Sequence, residues 1–243
     1  MKIVADLSVT SAPMRERHGW HPGWLFRGGA QGAWFDPLDL STMFQDAMGS
    51  VPVAADGDSV ALMQDKSGKG NHAVQTIAAR RPTWRTDGVL RWLEFDGVDD
   101  RMEVPEVAYS TSNFGPAIGL QYEPAGTKFG SWRSFLVDGP YIGLSNTSDS
   151  GPIQSTSGLH ELNGAPAPTT RGTLRAALLS PGVGTVTGIH VAAFAGNPWQ
   201  FCGYSSPGSP AAKVFGYVES EALTPSMVPR VRHWMAEQSG VVL

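Results

Sequence analysis

The chain has 243 residues and a formal net charge of −4, enough length for one large all-β domain or two small ones. It shows no basic footprint, so nucleic acid is not an expected partner. A single cysteine, Cys202, excludes an intramolecular disulfide and a cysteine-based zinc site. With 29 Gly, 18 Pro and only 16% charged residues, the chain should consist of many short strands joined by turns.

Residues 1–33 differ from the rest and are read as an arm or docking segment, with the sandwich domain spanning 34–243. The residues from Met1 to Asp6 do not read as a secretory signal. No stretch reaches the roughly 18 apolar residues that a bilayer span needs. Ile3 to Val9 could form one strand. Met14 to Trp24 is dense in tryptophan and turn formers. It is either an arm docking on a neighbour or an edge layer on the sandwich. Trp20 and Trp24 are its docking candidates, because exposed aromatics usually seek a partner surface.

Asp36 to Asp46 predicts a short helix. Asp36 would cap it, Pro37 suits its first turn, and Leu40, Met43 and Phe44 share a face. From Val51 to Tyr217 short apolar runs alternate with turn residues. Strands are expected at 60–63, 90–95, 102–104, 134–137, 141–144, 173–179, 188–194 and 213–218. Such repetition favours an antiparallel two-sheet sandwich. Gly164 to Thr170 reads as a loop. Arg80, Arg81 and Arg85 form a short basic cluster, read as a solvated loop. From Thr224 and Pro225 the period becomes helical, with Met227, Val231, Trp234 and Met235 on one stripe and Gly240 as the stop.

Two segments are more specific. Asp65 to Ala73 is a tight turn in which Gly68 and Gly70 permit positive φ. Asp65, Ser67 and Asn71 can bond their own backbone there. His72 is expected to be hydrogen-bonded within it. Leu93 to Asp100 is a strand ending in a turn at Asp96 and Gly97, with Met102 and Val104 returning to the core. The order of these segments, with Arg81-Pro82 between them, resembles the opening of laminin-G-like, concanavalin A-like domains. Gly32 to Asp46 resembles the variant in bacteriophage and prophage tail and virion proteins, and 213–241 is similar to their last strand and closing helix. The resemblance implies an all-β concanavalin A-like jelly roll with a short N-terminal and a C-terminal helix. It also implies a structural role in a virion. The expected partners are then other virion proteins and further copies of the chain.

The fold alone does not choose among lectins, adhesins, glycanases and structural domains. Glycanases of this fold carry a strand resembling Glu-x-Asp-x-x-Glu, which Glu94, Asp96 and Asp99 approach. A retaining pair needs carboxyls about 5–5.5 Å apart. Asp96-Gly97 reads as a turn and the third acid is Asp, so no catalytic residue is assigned. Asp99 and Asp100 could help bind calcium, but a turn-capping pair is preferred and no cofactor or metal is expected. His18 and His21 offer two imidazoles without the ligands of a zinc site. No nucleophile elbow or phosphate-cradling loop is present. If host-surface polysaccharide is bound, Trp132, Tyr141, Trp199 and Tyr204 are the candidate platforms, in Gly/Ser/Asn-rich surroundings.

Overall fold

The computed structural model describes residues 19–123, 131–135, 141–142, 159–190, 198–203 and 211–243. For 131–135, 141–142, 159–160 and 201–203 it describes the backbone alone. Sixteen strands among these residues, numbered in chain order, form two antiparallel sheets.

The larger sheet holds β1 (Gly32–Phe35), β5 (Thr83–Thr86), β6 (Arg91–Asp96), β8 (Asn113–Tyr122), β11 (Leu159–Leu162), β12 (Ala165–Pro166), β13 (Gly182–Thr187), β14 (Ile189–His190) and β16 (Ala211–Ser220). Its path runs β12-β11-β13-β8-β16-β6-β5. One flank of β16 is shared: β6 pairs with 211–214, and β1 takes over at 217–220 beyond an irregularity between Val214 and Gly216. The smaller sheet runs β10 (Tyr141–Ile142), β9 (Ser131–Phe135), β15 (Trp199–Gly203), β7 (Met102–Val104), β4 (Ala73–Val74), β3 (Leu62–Met63) and β2 (Met43–Phe44).

The sheets enclose one core, with Leu93, Phe95, Ile118, Leu120 and Tyr217 from the larger and Met43, Met63, Met102, Val104 and Trp199 from the smaller. A second core lies on the outer face of the larger sheet, under a helix α2 (Val228–Ser239) and a 3₁₀ segment, Pro22–Gly29. Strand alternation assigns neighbours to opposite cores: Phe35 and Tyr217 face the first, Trp34 and Val218 the second. The central strands are therefore buried on both faces, as β8 and β16 are along almost their whole length.

Three expectations are corrected. No helix spans 36–46; Leu40–Thr42 is one 3₁₀ turn, and Met43 and Phe44 extend as β2. Burying Met43 against Met63 in the sheet outweighs a weak local helical pattern. The strand expected at 173–179 is instead α1 (Arg171–Ala177). The Thr170 side chain caps it by accepting from Thr173 N, and Leu174 and Leu178 lie one turn apart in the core. At the C-terminus α2 begins at Val228 with Pro229 in its first turn, and Gly240 ends it in the left-handed region at φ 67°. Within the segment read as a loop, Asn163 (φ 53°) and Gly164 (φ 87°) turn β11 into β12.

The 3₁₀ segment Pro22–Gly29 packs on the outer face of the larger sheet. Leu25 and Phe26 are buried in the second core. A boundary between 33 and 34 falls inside β1.

Candidate functional site

The Asp65 turn fastens β1 to the body of the protein. Asp65 is buried, and its Oδ1 accepts from Trp34 N at 2.9 Å and Ser67 N at 2.8 Å. Its Oδ2 accepts from Asn71 N and the Ser67 hydroxyl. His72 Nδ1 accepts from Asp65 N, and Gly68 and Gly70 both adopt φ 79°. The turn also reaches outward: Asn71 Nδ2 and Ser67 Oγ donate to Gly32 O, and Lys66 N donates to Trp34 O. These bonds all end on β1, while the Lys66 and Lys69 side chains reach Asp36, Asp39 and Gly29 O on either side of it. On the other side of β1, a Cβ at Gly32 would collide with Glu219 O on β16.

What this bracket holds in place is Trp34. Its ring stands edge-on to Trp234 of α2 at 5.9 Å and stacks with His21 at 5.9 Å. Lys66 Nζ lies 4.6 Å from its centre. Around these rings opens a two-lobed cleft. One lobe, about 630 Å³, is lined by Trp20, Trp24, Pro229, Arg230, His233, Trp234 and Glu237. The other, about 510 Å³, is lined by His21, Trp34, Asp36 and Lys66, and both share Gly19, Trp20 and Trp234. Trp24 is 41% exposed, with the Arg27 guanidinium 3.8 Å from its ring centre.

The charges divide unevenly. Lys66 Nζ bridges Asp36 at 3.1 Å and Asp39 at 2.7 Å. Burial works against the Asp39 carboxylate, but hydrogen bonds from Lys66 and Ser41 outweigh it and hold its pKa below the ordinary value. His21 Nδ1 accepts from Gly23 N at 3.1 Å and so caps the 3₁₀ segment as a neutral ring. Its pKa is lowered, first by burial and then by Arg27 and Lys66. The buried indole N–H groups of Trp20 and Trp34 meet no acceptor among the described residues.

The second turn is self-contained. Asp96 Oδ1 accepts from Val98 N at 2.7 Å and Asp99 N at 3.3 Å, while Asp100 Oδ2 accepts from Asp96 N at 3.0 Å. Gly97 has φ 79°, and Asp99 pairs with Arg80 at 3.1 Å. The three acids could place one oxygen each within 4.8 Å of one another. Burial, with the Asp96 and Asp99 charges as smaller contributions, pushes Asp100 up to about 7. Glu94 is paired with Arg85 at 3.2 Å, and Asp96 is exposed at the end of β6.

Of the sequence-derived glycan platforms, Trp199 is the one whose side chain is described. Trp199 is fully buried and packs on Tyr217 at 5.2 Å, which removes it as a platform. Trp132 lies on β9 and Tyr141 on β10, with their side chains outside the described residues. Tyr204 also lies outside them. Trp20 and Trp24 do come together, with Trp34, for which the sequence carried no such reading, and Trp234, expected on the stripe of the C-terminal helix. The basic cluster is engaged rather than free: Arg80 holds Asp99, Arg81 donates to Gln75 O and Gln45 O, and Arg85 holds Glu94 and Asp56.

Comparison with protein-family models, curated proteins and solved structures found no match to this chain.

Proposed function

We propose that this chain is a non-catalytic component of a bacteriophage or prophage particle, a tail, baseplate, fibre or head-decoration subunit. In this reading it is a concanavalin A-like jelly roll that docks on other virion proteins, and on copies of itself, through the aromatic cleft. The observation that carries the docking role is the cleft itself. Trp24 is 41% exposed beside Trp20 and Trp234, in a lobe that Gly19 also lines. Tryptophan and arginine are the side chains that most often anchor protein interfaces. The phage assignment rests on the resemblance of Gly32–Asp46, Asp65–Ala73, Leu93–Asp100 and 213–241. The symmetry common in such assemblies supports self-association. No helix of the described residues is long and apolar enough to cross a membrane.

The test is incorporation. A Trp20→Ala/Trp24→Ala double variant should fold and fail to enter particles, and normal incorporation would sink the reading. A second reading, a carbohydrate-binding adhesin, draws on Arg230, His233 and Glu237 beside the exposed Trp24 ring. A glycan array separates the two: binding that Trp24→Ala abolishes supports the adhesin.

A further inference from the structure

We propose that the occupant of the cleft is an acidic peptide segment of a partner protein. An apolar anchor side chain would sit against Trp20, Trp24 and Trp234, flanked by carboxylates that reach Arg27 and Arg230. This inference rests on the docking reading above and names the chemistry of the partner.

The charge balance around the Trp24 lobe points to an anion. The chain as a whole is negative, at −4, yet around this lobe two guanidiniums, Arg27 and Arg230, face one carboxylate, Glu237. Asp36 and Asp39 hold Lys66, and Glu237 lies 3.5 Å from His233 one helical turn away. Arg27 and Arg230 form no ion pair with any described residue. Arg27 stacks on the Trp24 ring, and Trp24 and Arg230 line the same lobe. Two guanidiniums against one carboxylate thus border one apolar lobe. Each offers a planar fork of donors that suits a carboxylate.

The hydrogen-bonding inventory has the same sign. His21 spends Nδ1 on Gly23 N, which leaves Nε2–H as a donor. The indole N–H groups of Trp20 and Trp34 lack acceptors among the described residues. The lining is therefore rich in donors, and its two carboxylates, Asp36 and Glu237, already have partners. A carboxylate-bearing, carbonyl-rich chain complements that. A glycan complements it less well, because each hydroxyl presents a donor that needs an acceptor. Three indoles and Pro229 also form an apolar wall suited to a hydrocarbon side chain.

The experiment pans a random twelve-residue peptide display library on the full chain. It then titrates the enriched sequence, its Gln/Asn counterpart and a uronic-acid oligosaccharide by indole fluorescence. Enrichment of Asp and Glu around an aromatic or aliphatic residue is expected, with the neutral counterpart binding at least ~10-fold more weakly and affinity falling as salt rises. Arg27→Glu/Arg230→Glu should lose the acidic peptide and prefer a lysine-bearing one. Equal binding of acidic and neutral peptides, no enrichment of acids, or binding of the uronate in place of peptide would overturn the proposal. Particle assembly keeps the two levels apart. If the charge-reversed variant enters particles normally while Trp20→Ala/Trp24→Ala does not, the acidic partner is wrong and docking stands. If both enter normally, docking itself is wrong.

Discussion

Asp65 and Asp96 head two turns of nearly the same chemistry. In each, a carboxylate gathers backbone N–H groups, and a glycine at φ 79° reverses the chain. The difference is where the remaining bonds go. The Asp96 turn closes on itself within five residues, apart from the Asp99–Arg80 pair. The Asp65 turn sends four bonds to residues 32–34, tying the strand that carries Trp34 to the body of the protein. Two turns that look equivalent in sequence therefore differ in reach. One carries the chain from the larger sheet to the smaller, and the other holds the strand that bears Trp34.

The largest expected effect tests that reach. Gly32→Ala should destabilise by ~4 kcal/mol or more, because its Cβ would meet the Glu219 carbonyl at a φ of 150° that side chains rarely adopt. Asp65→Ala should cost about 3–4 kcal/mol, since it leaves the buried Trp34 N–H unpaired and releases Ser67 and Asn71. Asp96→Ala should cost about 1–2 kcal/mol. Chemical denaturation of all three measures the ranking, and equal losses at Asp65 and Asp96 would erase the distinction between the turns.

Legibility of the two turns followed from their local bonding. Gly68, Gly70 and Gly97 all adopt the positive φ that the turns require. The central strand β8 was not legible. Gly115, Pro116 and Gly119 disguise its alternation, and the two glycines answer to demands outside the strand. A Cβ on Gly119 would lie 3.1 Å from Met235 of α2, and one on Gly115 would lie 2.6 Å from Val186 O. Glycine is there so that the helix and the neighbouring strand can approach, and that demand cannot be read within a few residues.

A further prediction sharpens the Asp96 side of the comparison. Asp100 titrates in the folded protein near 7, above its ordinary value of 3.8. Such a group favours the folded state most when it is protonated in both states, below about pH 4. Its contribution is lost as pH rises through 7. Asp100→Asn should flatten the stability-against-pH curve over that window, by on the order of 4 kcal/mol at 1.36 kcal/mol per pKa unit. Thermal unfolding between pH 4 and 8 is the measurement, and an unchanged slope in the variant would refute the assignment.

On the cleft side, His21 works in the opposite direction. Its pKa is depressed, so its contribution is present above about pH 6.5 and is lost as pH falls through the folded value. Protonation removes the acceptor that Gly23 N uses. Indole fluorescence should therefore change with acid titration in the native protein and lose that step in His21→Ala. The smallest stability effect is expected for Trp24→Ala, within about 0.5 kcal/mol by urea denaturation, because the ring is 41% exposed.

By itself the sequence determined the antiparallel β character, the two aspartate turns, strands such as Met102–Val104, and the glycine that ends the C-terminal helix. These depend on alternation and on hydrogen bonds between residues a few positions apart. Only the tertiary structure decided that Thr173 and its neighbours form a helix, that Trp199 is core, and that the Asp65 turn reaches β1. It also gathered Trp20, Trp24, Trp34 and Trp234, from both ends of the chain, into one cleft. That gathering depends on which face of a two-faced sheet each side chain takes and on what packs above it. No pattern within a single element carries that information, because the contacts that settle it lie about 200 residues apart in the chain.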